Sequence, residues 1–145
     1  MSNNKIIIHT DGASRGNPGP SGAGVHVSGL GEPQFISIFL GNKTNNEAEY
    51  LALLAAVRFL LQFKKRNAKN DELGSCEVVF KMDSMLVVKQ MNGEWKIKES
   101  RMLKLAEKVR SSLKTLDMPF KFLHVERSLN QEADWLATQV IDLGT

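Results

Sequence analysis

Apolar positions change their period several times along the chain, and each change marks an element. Lys5 to Thr10 is a short β-branched run that stops at Asp11-Gly12 and enters Ser14-Arg15-Gly16-Asn17-Pro18-Gly19-Pro20, which is dense in turn formers. Ala23, Val25 and Val27 then alternate, and Gln34 to Leu40 follows Gly29, Gly31 and Pro33, so two more strands joined as a hairpin are predicted. Thr44-Asn45-Asn46-Glu47 has the form of a capping box, and a helix apolar on almost every side runs from Ala48 to Phe63. Cys76 to Met82 reads as a buried fourth strand that stops at Asp83-Ser84, with a short helix over Met85 to Met91 behind it. Met102, Leu105, Ala106, Val109, Leu113 and Leu116 recur at helical spacing, with Arg101, Lys104 and Lys108 forming a basic stripe on a different face. Phe120 to Val125 is a fifth strand, and Ser128 or Asn130 can cap a last helix carrying Ala133, Trp135, Leu136, Ala137 and Val140. The order βββαβααβα predicts an α/β fold, a mixed sheet covered by helices.

Composition narrows this picture. At 145 residues and 42% hydrophobic content, the chain is expected to be a single domain over residues 1–145 with a real core. Lys64 to Gly74 is expected to be a mobile polar loop. Nineteen Lys and Arg against sixteen Asp and Glu give a net charge of +3, compatible with a polyanionic partner without requiring one. Cys76 is the only cysteine, which excludes an internal disulfide and a cysteine metal cluster; a small buried residue is its expected role. Ile6-Ile7-Ile8 is too short for a signal-peptide core, and no apolar stretch approaches the roughly 20 residues of a membrane span. A cytoplasmic monomer is the expectation.

Four acids stand out. Asp11 and Asp83 sit where a strand gives way to a turn or helix, a place where open sheets display functional groups. Each also has a plainer role, Asp11 as a turn initiator and Asp83 as a helix cap. Glu47 and Glu49 lie roughly 200° apart on their helix, on opposite faces. The capping box accounts for Glu47, which leaves Glu49 free to face Asp11 or to remain a solvated surface acid. Asp134 lies near a helix N-terminus, where an exposed acid is ordinary, but Ala133, Leu136 and Ala137 beside it imply partial burial. Acids brought together without Lys or Arg among them repel unless a divalent cation neutralises them, and oxygen-only ligands select magnesium or manganese. Spacing alone does not bring the four together.

The chain resembles type 1 ribonuclease H nearly end to end. Asp11 to Pro20 is similar to that family's first-strand motif, Thr44-Asn45-Asn46-Glu47-Ala48-Glu49 to its helix motif, Met82-Asp83-Ser84 to its fourth-strand motif, and Asn130-Gln131-Glu132-Ala133-Asp134-Trp135-Leu136-Ala137 to its last. The resemblance implies a ribonuclease H-like fold, a five-stranded mixed sheet with three antiparallel strands followed by two parallel ones. It implies that Asp11, Glu49, Asp83 and Asp134 bind two Mg2+ ions, with Mn2+ as a substitute, and cleave the RNA strand of an RNA/DNA hybrid to 3′-hydroxyl and 5′-phosphate ends. It also implies substrate contacts by Asn45 and Asn46 across the minor groove and by Gly12, Ser14 and Asn17 near the backbone, consistent with an amide's capacity to read a 2′-hydroxyl.

The sequence departs from that pattern in two places. The family's long basic protrusion is shortened to Gly93-Glu94-Trp95-Lys96-Ile97-Lys98, with the basic stripe of the next helix as a partial substitute. Trp95 there has two open roles, stacking on a sugar or base and packing between helices. His124-Val125-Glu126-Arg127 resembles the short-loop form, which lacks a mobile histidine; His124 falls in a strand, and Arg127 either holds phosphate or forms a surface ion pair. His9 and His26 are read as packing residues. The competing readings are a non-catalytic hybrid-binding module and a broader enzyme that also cleaves double-stranded RNA.

Overall fold

A computed structural model describes residues 4–69 and 73–144. Strands β1 (Lys5–Ser14), β2 (Gly19–Ser28) and β3 (Gln34–Lys43) lead into helix α1 (Asn45–Arg66). Strand β4 (Glu77–Met82), helices α2 (Met85–Met91) and α3 (Ser100–Leu116), strand β5 (Phe120–His124) and helix α4 (Gln131–Gly144) complete the order. The sheet runs β3-β2-β1-β4-β5. β1 pairs antiparallel with β2 and parallel with β4, β2 pairs antiparallel with β3, and β4 pairs parallel with β5. This is the predicted mixed sheet, with β1 at its centre.

Strand alternation sends consecutive side chains to opposite faces. Ile6, Ile8, Val25, Val27, Val78 and Phe80 point to one face and join Leu53, Val57 and Leu60 of α1 and Ala106, Val109 and Leu113 of α3 in one core. Helix α1 is buried there between the sheet and α3, which explains why apolar residues surround it on almost every side. The hydroxyl of its Tyr50 donates to Gln90 Oε1 of α2 at 2.7 Å, so the phenol is buried with its polar end satisfied.

The opposite face carries α4, and glycine makes that packing possible. A Cβ on Gly24 would lie 2.1 Å from the Ala133 carbonyl oxygen, and one on Gly22 would lie 2.1 Å from that of Ala137. The α4 backbone therefore rests directly on β2, with Ala133 and Ala137 fully buried between them.

Most predicted boundaries hold within two or three residues, and the expected loop is the main correction. Lys64, Lys65 and Arg66 form the last turn of α1 instead of a loop, where three cations face the negative end of the helix dipole. The Lys64 ammonium also donates to the Leu116 carbonyl at 2.6 Å, tying the helix end to α3. At the other end Leu73 and Gly74 belong to a 3-10 turn, Leu73–Ser75, with Leu73 buried in the core. Residues 70–72 of the expected loop lie outside the described residues. Cys76 is buried immediately before β4 instead of within it, and β5 stops at His124, one residue short of Val125. Ser128 lies inside a 3-10 turn, Arg127–Leu129, ahead of α4. Among the described residues no helix is long and apolar enough to cross a membrane.

The α4 seat gives a stability prediction. Gly24→Ala should lower the denaturant midpoint by an amount corresponding to about 2 to 4 kcal/mol, because helix and strand backbones must separate. Urea unfolding followed by circular dichroism would measure it. A Gly74→Ala control, where a Cβ meets nothing within 4 Å, should leave the midpoint nearly unchanged.

Candidate active site

The site forms where β4 ends beside β1, which does not stop at Asp11-Gly12 as expected but runs on to Ser14 because residues 11–14 stay paired with β2. Thr10 pairs with Met82 across the parallel ladder, so Asp11 and Asp83 emerge from neighbouring strands at the same level. Asp83 does not cap α2: the adjacent Ser84 does, accepting the Val87 N–H at 3.3 Å. That leaves the Asp83 carboxylate available.

Helix α1 supplies the third acid in the way its capping geometry predicts. Thr44 Oγ1 accepts the Glu47 N–H at 3.1 Å, and Glu47 Oε1 accepts the Thr44 N–H at 3.0 Å. Glu47 is thereby committed to the cap, with Arg101 3.9 Å away. Glu49 faces β1 instead, and its Oε1 accepts the Gly12 N–H at 2.9 Å. That approach requires glycine, because a Cβ on residue 12 would lie 2.2 Å from the Ala48 carbonyl carbon. Asp11, Glu49 and Asp83 each present an oxygen within 4.8 Å of the other two.

Asp134 joins from α4. Asn130 precedes that helix, and its buried side-chain amide donates to the Thr10 carbonyl at 2.9 Å, pinning the helix start to β1 next to Asp11. One turn later Asp134 comes up beside the Asp11 carboxyl and lines the same cleft. The four acids singled out in the sequence therefore lie in one place, with Asp134 joined through Asp11.

Their charges are not balanced from within. Asp11 is 4% exposed. Burial, then the charges of Glu49 and Asp83, push its carboxyl far above the usual carboxylate range. Burial also raises Glu49, although the Gly12 N–H and the Arg127 guanidinium work against the rise. A set of oxygen donors with this excess of negative charge fits a hard divalent cation, and Asp11, Glu49 and Asp83 are the residues that would hold it.

Around the acids lies an open cleft of about 610 Å3, lined also by Gly12, Ser14, Arg15, Asn45, His124, Glu126, Arg127 and Thr138. Of the expected substrate contacts, Gly12, Ser14 and Asn45 line it, whereas Asn17 and Asn46 stand exposed beyond its lining. Asn17 Oδ1 accepts the Asn45 N–H at 3.0 Å. His124 ends β5 at the cleft wall, a strand residue as expected. Arg127 faces the cleft and enters no salt bridge among the described residues, against its alternative role as a surface ion-pair partner. Trp95 is 47% exposed between α2 and α3, not packed between two helices. His9 and His26 stack with ring centroids 6.0 Å apart, and His26 stacks on Phe35 at 4.8 Å, the packing role predicted for them.

Sequence reasoning did not single out Arg15, Glu126 or Thr138 as cleft residues. Thr138 carried a signal, since it lies four residues after Asp134 on the same helical face. Its hydroxyl donates to the Asp134 carbonyl at 3.0 Å.

A family model described as reverse transcriptase-like matches residues 9–140. LC11-RNase H1, isolated from compost by a metagenomic approach, is 39% identical and superposes with a TM-score of 0.87 over 97% of this chain and 98% of its own. The chain belongs to the type 1 ribonuclease H family. The crystal structure of RNase H1 from Halobacterium salinarum, 34% identical, covers 95% of this ribonuclease H chain and 98% of its own with a TM-score of 0.82. The bifunctional protein Rv2228c of Mycobacterium tuberculosis is 36% identical over 95% of this chain. The chain spans 36% of the length of Rv2228c and 65% of that of the curated Halobacterium ribonuclease HI. LC11-RNase H1 has also been crystallised with an RNA/DNA hybrid.

The raised carboxyls of this ribonuclease H domain set a pH dependence. Their folded values exceed the ordinary carboxylate values near 4, so between those limits the folded chain holds more protons than the unfolded one. This contribution to stability is whole below about pH 4 and is lost as pH rises toward the raised values. In EDTA, thermal melts between pH 5 and 9 should therefore show the wild type losing stability with rising pH relative to Asp11→Asn. Parallel pH profiles for the two proteins would refute the electrostatic picture.

Proposed function

We propose that the chain is an endonuclease that hydrolyses the RNA strand of RNA/DNA hybrids, with Asp11, Glu49, Asp83 and Asp134 as the metal-binding catalytic set. The observation that carries this reading is the convergence of acids from β1, α1 and β4 in an open cleft, joined by Asp134 of α4. Membership of the ribonuclease H family and the hybrid-bound structure of LC11-RNase H1 support the choice of substrate.

Two Mg2+ ions, with Mn2+ as a substitute, would supply Lewis acidity for activating water and stabilising the leaving oxygen of an in-line displacement. The chain's own contribution is to fix the donors. The Gly12 N–H orients the Glu49 carboxylate, Ser84 leaves Asp83 unencumbered as a ligand, and Asn130 fixes the helix that delivers Asp134. Asn45 and Asn46, exposed on the first turn of α1 beside the cleft, offer amide donors and acceptors suited to minor-groove edges and 2′-hydroxyls. Gly12 lines the cleft, and its missing side chain admits the backbone of α1. Arg127 offers a planar cation to a backbone phosphate across from Glu49, and His124 is an auxiliary group on the same wall. The proposed products carry 3′-hydroxyl and 5′-phosphate ends.

Purified protein incubated with end-labelled RNA/DNA hybrid and Mg2+ should cut the RNA strand alone, and side-by-side digestion of double-stranded RNA measures its strictness. Hybrid binding without cleavage under varied Mg2+ and Mn2+ would establish the non-catalytic module instead. Asp11→Asn or Asp83→Asn should lower kcat by at least about a hundredfold, the scale of losing a ligand that positions transition-state charge. The Asp11→Asn protein should melt no lower than wild type, since it replaces a buried carboxyl whose ionisation the site disfavours.

A further inference from the structure

Two of the five residues matched to substrate contacts direct their side chains to partners within the protein. Asn17 lies in the turn between β1 and β2, and its side-chain oxygen accepts the Asn45 N–H at 3.0 Å. The Ser14 hydroxyl points to the Lys43 carbonyl at 2.9 Å and also reaches the carbonyls of Gly16 and Gly19. A third residue outside the matched set does the same: Ser21 Oγ lies 3.1 Å from the Lys43 carbonyl and 2.8 Å from that of Gly19. Ser21 is fully buried, so it cannot touch a nucleic acid.

These bonds fall on both sides of one residue. Lys43 ends β3, Thr44 caps α1 and Asn45 begins it. Two hydroxyls lie within hydrogen-bond distance of the carbonyl that precedes the cap residue, sharing their single protons between it and the Gly16 and Gly19 carbonyls. An amide oxygen holds the N–H that follows it, one of the donors a helix start leaves unsatisfied. The peptide planes flanking Thr44 are thus held from the β1–β2 hairpin, while Asn45 and Asn46 remain exposed. A first helical turn anchored only by its capping box would be prone to fray, and an exposed asparagine pair would then meet a duplex in many orientations.

We propose that Ser14, Asn17 and Ser21 are positioning residues, a clamp from the β1–β2 hairpin that sets the orientation in which Asn45 and Asn46 meet the hybrid. This rests on the assignment of Asn45 and Asn46 as hybrid contacts. Substrate binding, rather than the chemical step, is what the clamp controls.

A double-mutant cycle tests it with the full chain, Mg2+ and RNA/DNA hybrid. Ser21→Ala should raise KM about fivefold, the scale of one lost hydrogen bond, with kcat within about twofold. In an Asn45→Ala/Asn46→Ala background, Ser21→Ala should change KM no further, because residues acting in series are non-additive. A full additional fivefold rise there, or no rise in the wild-type background, overturns the clamp. If Asn45→Ala/Asn46→Ala alone leaves KM unchanged, the assignment of those asparagines fails, and the clamp fails with it. Amide exchange gives a readout independent of activity: the Asn45 N–H should exchange faster in Asn17→Ala but stay protected in Asn17→Asp, which keeps the acceptor. Equal protection in wild type and Asn17→Ala would remove Asn17 from the clamp.

Discussion

The bond between the Gly12 N–H and the Glu49 carboxylate is the constraint on which the rest of the site depends. It forms because α1 passes over the end of β1 so closely that residue 12 has no room for a side chain. Once that approach is made, Asp11 and Glu49 are neighbours, and the parallel pairing of β1 with β4 brings Asp83 to the same level. The depth of α1 in the core holds the approach in place. Leu53, Val57 and Leu60 anchor the helix beneath the sheet, while its N-terminal turn stays at the surface.

Electrostatics pulls the other way. Packing favours placing Asp11 at the centre of the sheet, yet burial and like charges make its ionised form unfavourable there. Among the described residues no Lys or Arg neutralises the set from within; Arg127 lowers Glu49 only partly and from an exposed position. The fold therefore tolerates a local destabilisation that a divalent cation would relieve, as expected where binding and stability share the same groups. Neutralising a donor from inside would steady the protein and weaken its hold on the cation.

Much of this was legible in the sequence because local chemistry fixed it. The capping box assigned Glu47 and released Glu49, and the hydrogen bonds at Thr44 follow that logic atom by atom. The strand-end position singled out Asp83 correctly, whereas Asp11, expected at a strand end, lies within β1 where only the pairing with β4 stops. What local patterns could not show was which of two adjacent candidates takes a role. Ser84, not Asp83, caps α2, and Asn130 reaches across to Thr10. The loop expected over Lys64 to Gly74 was misjudged at both ends for a related reason: polarity resembles disorder in a sequence. In the fold the three cations at 64–66 match a helix terminus, and Leu73 reaches the core. The convergence of the acids depended on tertiary packing, so before the structure only the family resemblance could supply it.

Asp134 shows how far that dependence extends. Its element is the last in the chain, and the seat that carries it is made by residues with no functional groups: Gly22 and Gly24 on β2, and Ala133 and Ala137 on α4. Small residues on both surfaces let the helix backbone lie on the strand, and Asn130 then fixes its start against β1. The fourth carboxylate is thus placed by an absence of side chains more than by any polar attraction to the other three, which their charges would oppose. Each acid reaches the cleft on a different secondary-structure element, so the site has no local fragment that could form alone. Its geometry is a property of the completed sheet, with the first and last elements of the chain both required.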